Sequence, residues 1–491
     1  MIGVVRSSDW SPLAALTAEA LPARLLARGV DASKAPLFAT AARRLLAAGL
    51  PPSSAALALW VPGRVEILGK HTDYAAGRSV LAAATRGFAA VVVARDDARC
   101  RVLASFALAQ RREAAEFSLA PDASDTPPAD WAVYPLVAAR RLARNFGLER
   151  GVELAFECDL PEASGMSSSS AVVCLTFLAL AGANALADRA AFQRLLPTDE
   201  ARCHYLGCLE NGTDFGAELP GDAGVGTFGG SEDHTAIMSC EPHQLRVYSF
   251  CPTKLEAAPR FPAALRLVIA VSGATAHKGT ERLHDYNHAA LLALWAADAA
   301  MARAETAEPS PPRLAGVVRA FAARLGVEPA DEAVRAAVLA AIAPLDDGSY
   351  CPSGRAAGGG RGFAAGALAA RFSQFFEESE RIIPAFVAAL GRDDRAAMRA
   401  LVRRSQELTV SHLKNTIEET EWLPAAAERL GAIAASAFGA GFGGSCWAMV
   451  ETEQADALCD SWRAAYVEAF PKHESTSSFF VMSPGPGACC I

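Results

Sequence analysis

Along residues 152–158, VELAFEC, large apolar side chains alternate with two glutamates and an alanine: Val152, Leu154, Phe156 and Cys158 against Glu153, Ala155 and Glu157. A period of two predicts a β-strand with one buried face. The alternation ends before Pro161, and the small residues of SGMSSSS at 164–170 lead into a continuous apolar stretch at 171–185. That stretch predicts a long helix. The sequence therefore predicts a strand, a short loop and a long apolar helix in succession.

Elements of both kinds recur along the rest of the chain. Leucines and alanines at helical spacing predict helices within residues 11–50, interrupted near Gly29 and Pro36. Short apolar runs predict strands at 57–60, 90–94, 101–105, 244–250 and 265–271. Further helices are predicted at 131–148 and 201–211. Together these elements predict a mixed α/β fold.

Prolines and glycines mark the expected division of the chain. A glycine-rich segment at 212–230 is followed by Pro252, Pro259 and Pro262, which interrupt regular structure. With 491 residues and 52% hydrophobic positions, the chain is long enough for two domains. We expect an N-terminal helical extension at 1–55, one domain at 56–255 and a second, mostly helical domain at 256–491.

The charge balance excludes some classes of partner. The formal net charge is −8, and no block of lysine and arginine forms a basic stripe, so nucleic acid is not an expected partner. Charged residues interrupt residues 1–30, unlike the apolar centre of a signal peptide, and no apolar run is long enough to cross a bilayer. We therefore expect a cytoplasmic protein with no membrane partner, as a monomer or a weak dimer.

Twelve cysteines are scattered along the chain rather than set at the spacings of metal ligands. Many, such as Cys174, lie in apolar patterns that predict buried free thiols. Cys203 and Cys208 lack a matching second pair, and His284 and His288 lack the glutamate of a zinc-protease motif. The sequence predicts no transition-metal site.

The small-residue run at 165–170, called the phosphate loop below, has two physical interpretations. Gly165 and the serines at 167–170 have no bulky side chains, so backbone N–H groups at a helix start can approach an anion closely. The helix dipole also favours negative charge there. This predicts a phosphate-binding loop. Serine is equally among the best helix-capping residues, so an ordinary cap without a ligand also fits the run.

Two further stretches provide context for that loop. Residues 62–77 are PGRVEILGKHTDYAAG, and residues 438–447 are FGAGFGGSCW. In order and approximate spacing, these stretches and residues 160–185 resemble the three motifs of the GHMP small-molecule kinases, and the first resembles the galactokinase signature. The resemblance implies an α+β fold of two domains with mixed sheets and an active site in the cleft between them. It also implies phosphoryl transfer from ATP to the anomeric hydroxyl of galactose or a related sugar.

The same resemblance assigns the residues that bind ATP and Mg²⁺. The ATP-binding set comprises the phosphate loop, glycines of the third motif and one basic residue: Gly165, Met166, Ser167, Ser168, Ser169, Ser170, Lys278, Gly441 and Gly443. Mg²⁺ would be held by Ser169, or by Ser170 if the register shifts by one, together with Glu210. An exposed glutamate at a helix end is the alternative interpretation of Glu210.

Asp233 is the predicted catalytic carboxylate, because GGSEDHTAI at 229–237 resembles the aspartate-bearing segment of the family. Arg64 is expected to keep Asp233 ionised and to stabilise charge on the transferring phosphoryl group. Two departures from the family are Glu232 in place of Met and His234 in place of Gln. Glu232 is a competing acid, and in an extended segment only one of the two carboxylates would face the pocket.

The substrate-binding positions implied by the resemblance lie in both halves of the chain: Lys70, His71, Asp73, Gly230 and Tyr286. His71 could instead be a loop histidine with satisfied hydrogen bonds, and Asp73 a turn residue. Galactokinases carry a glutamate at the Lys70 position, opposite the C6 hydroxyl. A cation there suggests a substrate with a carboxylate at C6, or a lysine that turns away to Glu66, Glu232 or a nucleotide phosphate.

Three functions follow from these observations. The leading one is an ATP- and Mg²⁺-dependent sugar kinase of galactokinase type acting on a small-molecule sugar. The second is a uronic-acid kinase, with galacturonate as the example. The third is a silent sensor that binds ATP and sugar without turnover. Retention of Arg64, Asp233 and the phosphate loop favours turnover, whereas the departures at Lys70, Glu232 and His234 fit a sensor.

Overall fold

Two sets of strands organise the protein, whose computed structural model describes residues 5–106, 108–120, 130–161, 164–274, 280–302, 312–348 and 363–491. Its first unit comprises Met1–Val65, Ala82–Leu245 and Met482–Ile491, and its second unit comprises Glu66–Leu81 and Arg246–Val481. Both units are discontinuous in sequence, unlike the contiguous domains expected at 56–255 and 256–491.

The strands are β1 (Trp10–Pro12), β2 (Ala55–Leu68), β3 (Arg78–Ala94), β4 (Arg99–Phe106), β5 (Arg111–Ser118), β6 (Val152–Cys158), β7 (Arg246–Ser249), β8 (Lys254–Ala257), β9 (Leu265–Val271), β10 (Ala434–Phe438), β11 (Ser445–Glu451), β12 (Ser478–Met482) and β13 (Cys489–Cys490). The α-helices are α1 (Leu21–Ala27), α2 (Ala35–Ala47), α3 (Val133–Phe146), α4 (Ser168–Ala183), α5 (Ala190–Leu195), α6 (Asp199–Asn211), α7 (Glu232–Ser239), α8 (Thr280–Met301), α9 (Leu314–Leu325), α10 (Glu332–Ile342), α11 (Ala367–Phe376), α12 (Ile383–Gly391), α13 (Arg395–Leu408), α14 (Glu418–Arg429) and α15 (Ala455–Ala469). Two π-helical segments, Glu377–Ile382 and Thr409–Leu413, continue α11 and α13.

The sheet of the first unit has the order β1-β2-β3-β6-β4-β5, and β13 also pairs with β2. Strand β6 is antiparallel to β3 and parallel to β4, while β4 and β5 are antiparallel. The predicted mixed sheet is confirmed. Helix α4 follows β6, as the apolar pattern predicted, and most of its length is buried on all sides.

Strand β6 differs from its prediction in the burial of its second face. All seven of its residues are buried, including Glu153 and Glu157, so the expected half-buried strand is wrong. The alternation reflects paired charges rather than solvent: Arg95 contacts Glu153, and Arg44 of α2 contacts Glu157. The N-terminal extension therefore packs on the sheet, where Phe38, Leu45 and strand residues share one apolar cluster.

The second unit contains two smaller groups of strands. Strand β7 pairs antiparallel with residues 78–81 of β3 and with β8. The other sheet has the order β10-β11-β9-β12, with β11 antiparallel to both of its neighbours. Helices α14 and α15 pack on this sheet around Trp462 and Tyr466. A second apolar cluster joins α8, α9, α10 and α11.

Two general features of the described residues concern thiols and membranes. The cysteines there are free and mostly buried, as predicted. Burial raises the pKa of the Cys174 thiol well above its ordinary value, which keeps it protonated. No helix in the described ranges is both long enough and apolar enough to span a membrane.

We predict that Arg44→Met destabilises the first unit by about 3 kcal/mol, because it leaves the buried Glu157 carboxylate unpaired. Arg44 Nη1 lies 3.1 Å from Glu157 Oε1, and the guanidinium also donates to the carbonyl oxygens of Ala104 and Phe156. Urea unfolding followed by tryptophan fluorescence measures the change. The double variant Arg44→Met/Glu157→Gln should recover part of the loss, and an unchanged midpoint in the single variant would contradict the assignment.

Candidate functional site

The phosphate loop lies between β6 and α4. Gly165 (φ 69°) and Ser167 (φ 57°) both adopt left-handed backbone conformations, and α4 begins at Ser168. Ser167 occupies the N-cap position, yet its side chain makes no capping hydrogen bond. The first N–H groups of α4 are thus not closed by a serine cap, which favours the phosphate-loop interpretation over the ordinary cap.

Arg64 of β2 fixes the conformation of this loop. Its backbone N–H donates to the Met166 carbonyl oxygen (3.1 Å), and its guanidinium donates to the Gly165 carbonyl oxygen. The neighbouring Gly63 allows this close approach, since a Cβ there would lie 2.9 Å from the Met166 oxygen. Strand β2 and the phosphate loop are therefore held in contact through the main chain.

Asp233 lies beside Arg64, with 2.7 Å between Arg64 Nε and Asp233 Oδ1. The Asp233 carboxylate also interacts with the Ser167 side chain of the phosphate loop. Glu232 and Asp233 form the first turn of α7 rather than an extended segment. The expectation that alternation along a strand would turn only one of the two carboxylates toward the pocket therefore does not apply. The Asp233 side chain keeps 33% of its surface exposed, whereas Glu232 is buried. The geometry thus favours Asp233 over Glu232.

The charge on Asp233 is set by opposing effects. Burial alone raises the pKa of this carboxyl, but the Arg64 guanidinium, the Ser167 hydroxyl and His234 together lower it below its ordinary value. Asp233 is consequently ionised at neutral pH. An ionised carboxylate is the form that can accept a proton from an alcohol.

Glu210 lies at the end of α6 and is buried, so it is not the exposed helix-end glutamate of the alternative interpretation. Its Oε2 is 2.8 Å from His234 Nε2 on α7. Burial is the main cause of the raised pKa of Cys174 on α4, and the charges of Glu210 and Asp233 raise it further. Helices α4, α6 and α7 therefore bring two carboxylates close to the helix that follows the phosphate loop.

The resemblance to GHMP kinases implies Mg²⁺, and the two donors that it assigns, the Ser169 hydroxyl and the Glu210 carboxylate, are of the type that Mg²⁺ binds. The described residues contain no cluster of three or more His, Cys, Asp or Glu side chains suited to a metal. A single carboxylate with a hydroxyl suits Mg²⁺, which keeps water and phosphate oxygens as its other ligands. Ser169 is half-buried while Ser170 is buried, so Ser169 is the more accessible hydroxyl.

Asn211, which the sequence analysis did not single out, connects Glu210 to the segment before Asp233. Its side-chain oxygen accepts from the Gly229 N–H (2.8 Å), and its amide nitrogen donates to the carbonyl oxygens of Gly207 and Gly230. The structure thus places Gly230, a predicted substrate-binding residue, in contact with Asn211 through its carbonyl oxygen. The position next to Glu210 was the only available sequence signal.

Lys70 in the second unit is buried and points into the protein. Its ammonium group donates to the hydroxyls of Ser405 (3.0 Å) and Ser436 (2.8 Å). Of the partners weighed for a lysine that turns away from the substrate, Glu66 and Glu232 are not the groups it contacts, because both hydrogen bonds go to serines. Contact with a nucleotide phosphate stays a prediction. A small cleft beside Lys70 is lined by Thr409, Asn415 and glycines of the third motif.

His71 is also buried, and its ring nitrogens contact protein groups. Nδ1 lies 2.8 Å from the Tyr74 hydroxyl, and Nε2 lies 3.2 Å from both the Ala440 carbonyl oxygen and Asn415 Nδ2. The interpretation of a loop histidine with satisfied hydrogen bonds describes this geometry. The ring of Tyr286 is 5.5 Å from that of His71, so the structure brings these two predicted residues together.

The remaining predicted residues are placed as follows. Asp73 begins a short 3-10 turn, is 9% exposed and accepts through its carbonyl from Cys251. Gly441 (φ 82°) and Gly443 (φ 129°) lie in left-handed conformations, and a Cβ on Gly441 would lie 2.3 Å from the Asn415 oxygen. Lys278 lies outside the described residues.

Comparisons with known proteins agree with the three motifs. The family model for the N terminal domain of GHMP kinases matches residues 133–202, and that for the GHMP kinases C terminal matches residues 386–468. The galactokinase galactose-binding signature matches residues 54–95. Each predicted motif lies inside one of these segments.

Similar proteins include the galactokinases of Enterococcus faecalis (32% identical over 116 residues) and Chloroflexus aggregans (37% over 125 residues). These matches cover 23% and 25% of this chain and 29% and 30% of the relatives, so the chain aligns with less than a third of their length.

The crystal structure of Lactococcus lactis galactokinase complexed with galactose has the same fold, with a TM-score of 0.63, 19% identity and coverage of 88% of this chain and 95% of that chain. All three motif regions are matched by family models: this chain carries a GHMP kinase N-terminal domain, a GHMP kinase C-terminal domain and the galactokinase galactose-binding signature.

Proposed function

We propose that this protein is a sugar kinase of galactokinase type, which transfers a phosphoryl group from ATP to the anomeric hydroxyl of galactose or a closely related sugar. The observation that carries the proposal is Arg64, which contacts both the Asp233 carboxylate and the phosphate loop. A carboxylate for the alcohol and a loop for the phosphates are the two parts that phosphoryl transfer needs in one place.

In this proposal, Asp233 orients the sugar hydroxyl and accepts its proton as the oxygen attacks phosphorus. Arg64 keeps Asp233 ionised and offsets negative charge on the transferring group. The N–H groups at the start of α4 bind phosphate oxygens, and Ser169 with Glu210 would hold Mg²⁺. Bound Mg²⁺-ATP supplies the phosphoryl group and a cation that neutralises its charge.

The position of Lys70 bears on the choice of sugar. A lysine that recognises a carboxylate at C6 would direct its ammonium group to the ligand, whereas the two hydrogen bonds of Lys70 go to buried serines. The galactose-binding signature matched at residues 54–95 includes Lys70, His71 and Asp73. Both observations support a neutral sugar over galacturonate.

The function is tested by incubating the purified protein with Mg²⁺-ATP and a panel of sugars while following ADP release. We expect galactose to be phosphorylated in preference to galacturonate. A C6-lacking pentose in the same panel measures how much the C6 group contributes. ATP and sugar binding without ADP release would instead support the sensor.

Asp233→Asn is predicted to lower kcat by about 10²-fold or more, because it removes the proton acceptor. ATP affinity should be largely unchanged, since the phosphate loop stays intact. The matched control is Glu232→Gln, which alters the neighbouring acid and should retain turnover. Steady-state kinetics decide the assignment, and it is wrong if the asparagine variant keeps turnover within a few-fold of wild type.

Arg64→Met is predicted to move the acid limb of the pH–kcat profile upward. The ordinary pKa of aspartate is about 3.9, and Arg64 lowers that of Asp233, so the wild type should remain ionised there at mildly acidic pH. Without Arg64, burial dominates and the pKa rises, so the normalised kcat should fall as the pH drops. Arg64→Lys retains a cation and serves as the control. Superimposable profiles for wild type and Arg64→Met would refute this cause.

Gly165→Val is predicted to abolish ATP binding, because valine is strained at φ 69° and fills space that the phosphates need. Calorimetry with an ATP analogue measures this loss of binding. Unchanged nucleotide affinity in the valine variant would show that the loop is only a cap.

Ser169→Ala is predicted to raise the Mg²⁺ concentration needed for half-maximal rate, since it removes one oxygen ligand. A Mg²⁺ titration of the initial rate measures this effect.

A further inference from the structure

The turn formed by residues 69–72 of the second unit contains two residues with positive φ. His71 has φ 57°, a left-handed conformation that is strained for a residue with a side chain and persists only where the surrounding structure holds it. Gly69 has φ 114°, and a Cβ there would lie 2.4 Å from Ser79 Oγ. This turn positions Lys70, His71 and Asp73, so its conformation must be stabilised by contacts with the surrounding protein.

One polar face of a helix binds this turn through its main chain. The Gly69 N–H donates to Glu378 Oε1 (2.8 Å), and Gln374 Nε2 donates to the Lys70 carbonyl oxygen (3.0 Å). Arg371 donates to the carbonyl oxygen of His71. Three consecutive residues of the turn are each bound by one side chain from α11 and the π-helical segment after it.

The three side chains are almost completely buried, at 1% exposure for Arg371 and Gln374 and 0% for Glu378. They are also connected to one another and to Lys70. Arg371 Nη1 donates to Gln374 Oε1 (2.5 Å), and the Ser405 hydroxyl donates to Glu378 Oε1 (3.0 Å) while accepting from Lys70. Buried polar groups joined in this way are costly to displace, so the network resists movement of the turn.

We propose that Arg371, Gln374 and Glu378 form a positioning clamp that holds residues 69–72 and thereby sets the affinity for the acceptor sugar. The clamp acts through the backbone that carries His71 and Asp73, so its members are positioning residues rather than catalytic ones. This inference rests on the proposed function only in taking that segment as part of the sugar site. The strain at His71 is the reason that a clamp is needed there.

Gln374→Met and Gln374→Glu test the clamp. Methionine removes both hydrogen bonds of Gln374, whereas glutamate keeps an acceptor for Arg371 and loses only the donor to the Lys70 carbonyl oxygen. The control is Tyr466→Phe, which removes another buried hydrogen bond in the same unit, from the Tyr466 hydroxyl to the Ser272 carbonyl oxygen. Any effect of simply losing one buried hydrogen bond should appear in all three variants.

Two readouts are compared: amide hydrogen exchange in the peptide containing residues 69–72, and galactose affinity by calorimetry. We expect both Gln374 variants to exchange faster in that peptide and to bind galactose about tenfold more weakly. ATP affinity should change less than galactose affinity, because the phosphate loop, the largest part of the ATP-binding set, belongs to the first unit. Tyr466→Phe should leave exchange in the peptide and galactose affinity unchanged.

Unchanged exchange in both Gln374 variants would overturn the clamp, and faster exchange with unchanged galactose affinity would overturn its role in sugar binding. Equal effects in Tyr466→Phe would also overturn it, by showing a general loss of stability. If the wild type binds galactose but releases no ADP, the proposed kinase function fails while the clamp is still decided by exchange and affinity. If the wild type does not bind galactose, the proposed sugar site fails, and the positioning role with it.

Discussion

The ion pair between Arg64 and Asp233 is the interaction on which the proposed chemistry depends. Its two side chains differ in exposure, 5% for Arg64 and 33% for Asp233. A guanidinium is a planar set of donors, so Arg64 can bind the carboxylate and the Gly165 carbonyl at the same time. The charge of the proposed base and the conformation of the phosphate loop are therefore controlled by one group.

Hydrophobic periodicity predicted many of the helices and strands, because the pattern that marks such an element lies within the element itself. The strand β6, the loop and helix α4 follow from periodicity within about thirty residues, and the structure confirms them. The second face of β6 was mispredicted because Arg44, which pairs with Glu157, lies far away along the chain. The helical start of α7 was missed since it follows a glycine-rich segment and has only eight residues.

The same limit applies within the candidate site. The motifs identified which residues to examine, but the direction of Lys70 is set by Ser405 and Ser436, which are 335 and 366 residues away along the chain. Arg371, Gln374 and Glu378 were missed altogether. Their only signal was three polar residues at helical spacing in the aromatic stretch RFSQFFEE, and such a pattern does not reveal which backbone groups they bind.

Strand β2 has a consequence for how this protein can vary. It is buried along nearly all of its length, carries Arg64, and leads within a few residues to the turn at Gly69. Because successive side chains of a strand face opposite sides, deleting one residue between Ala55 and Arg64 would rotate every later side chain to the wrong face. In this stretch, length variation should therefore be confined to the loops on either side.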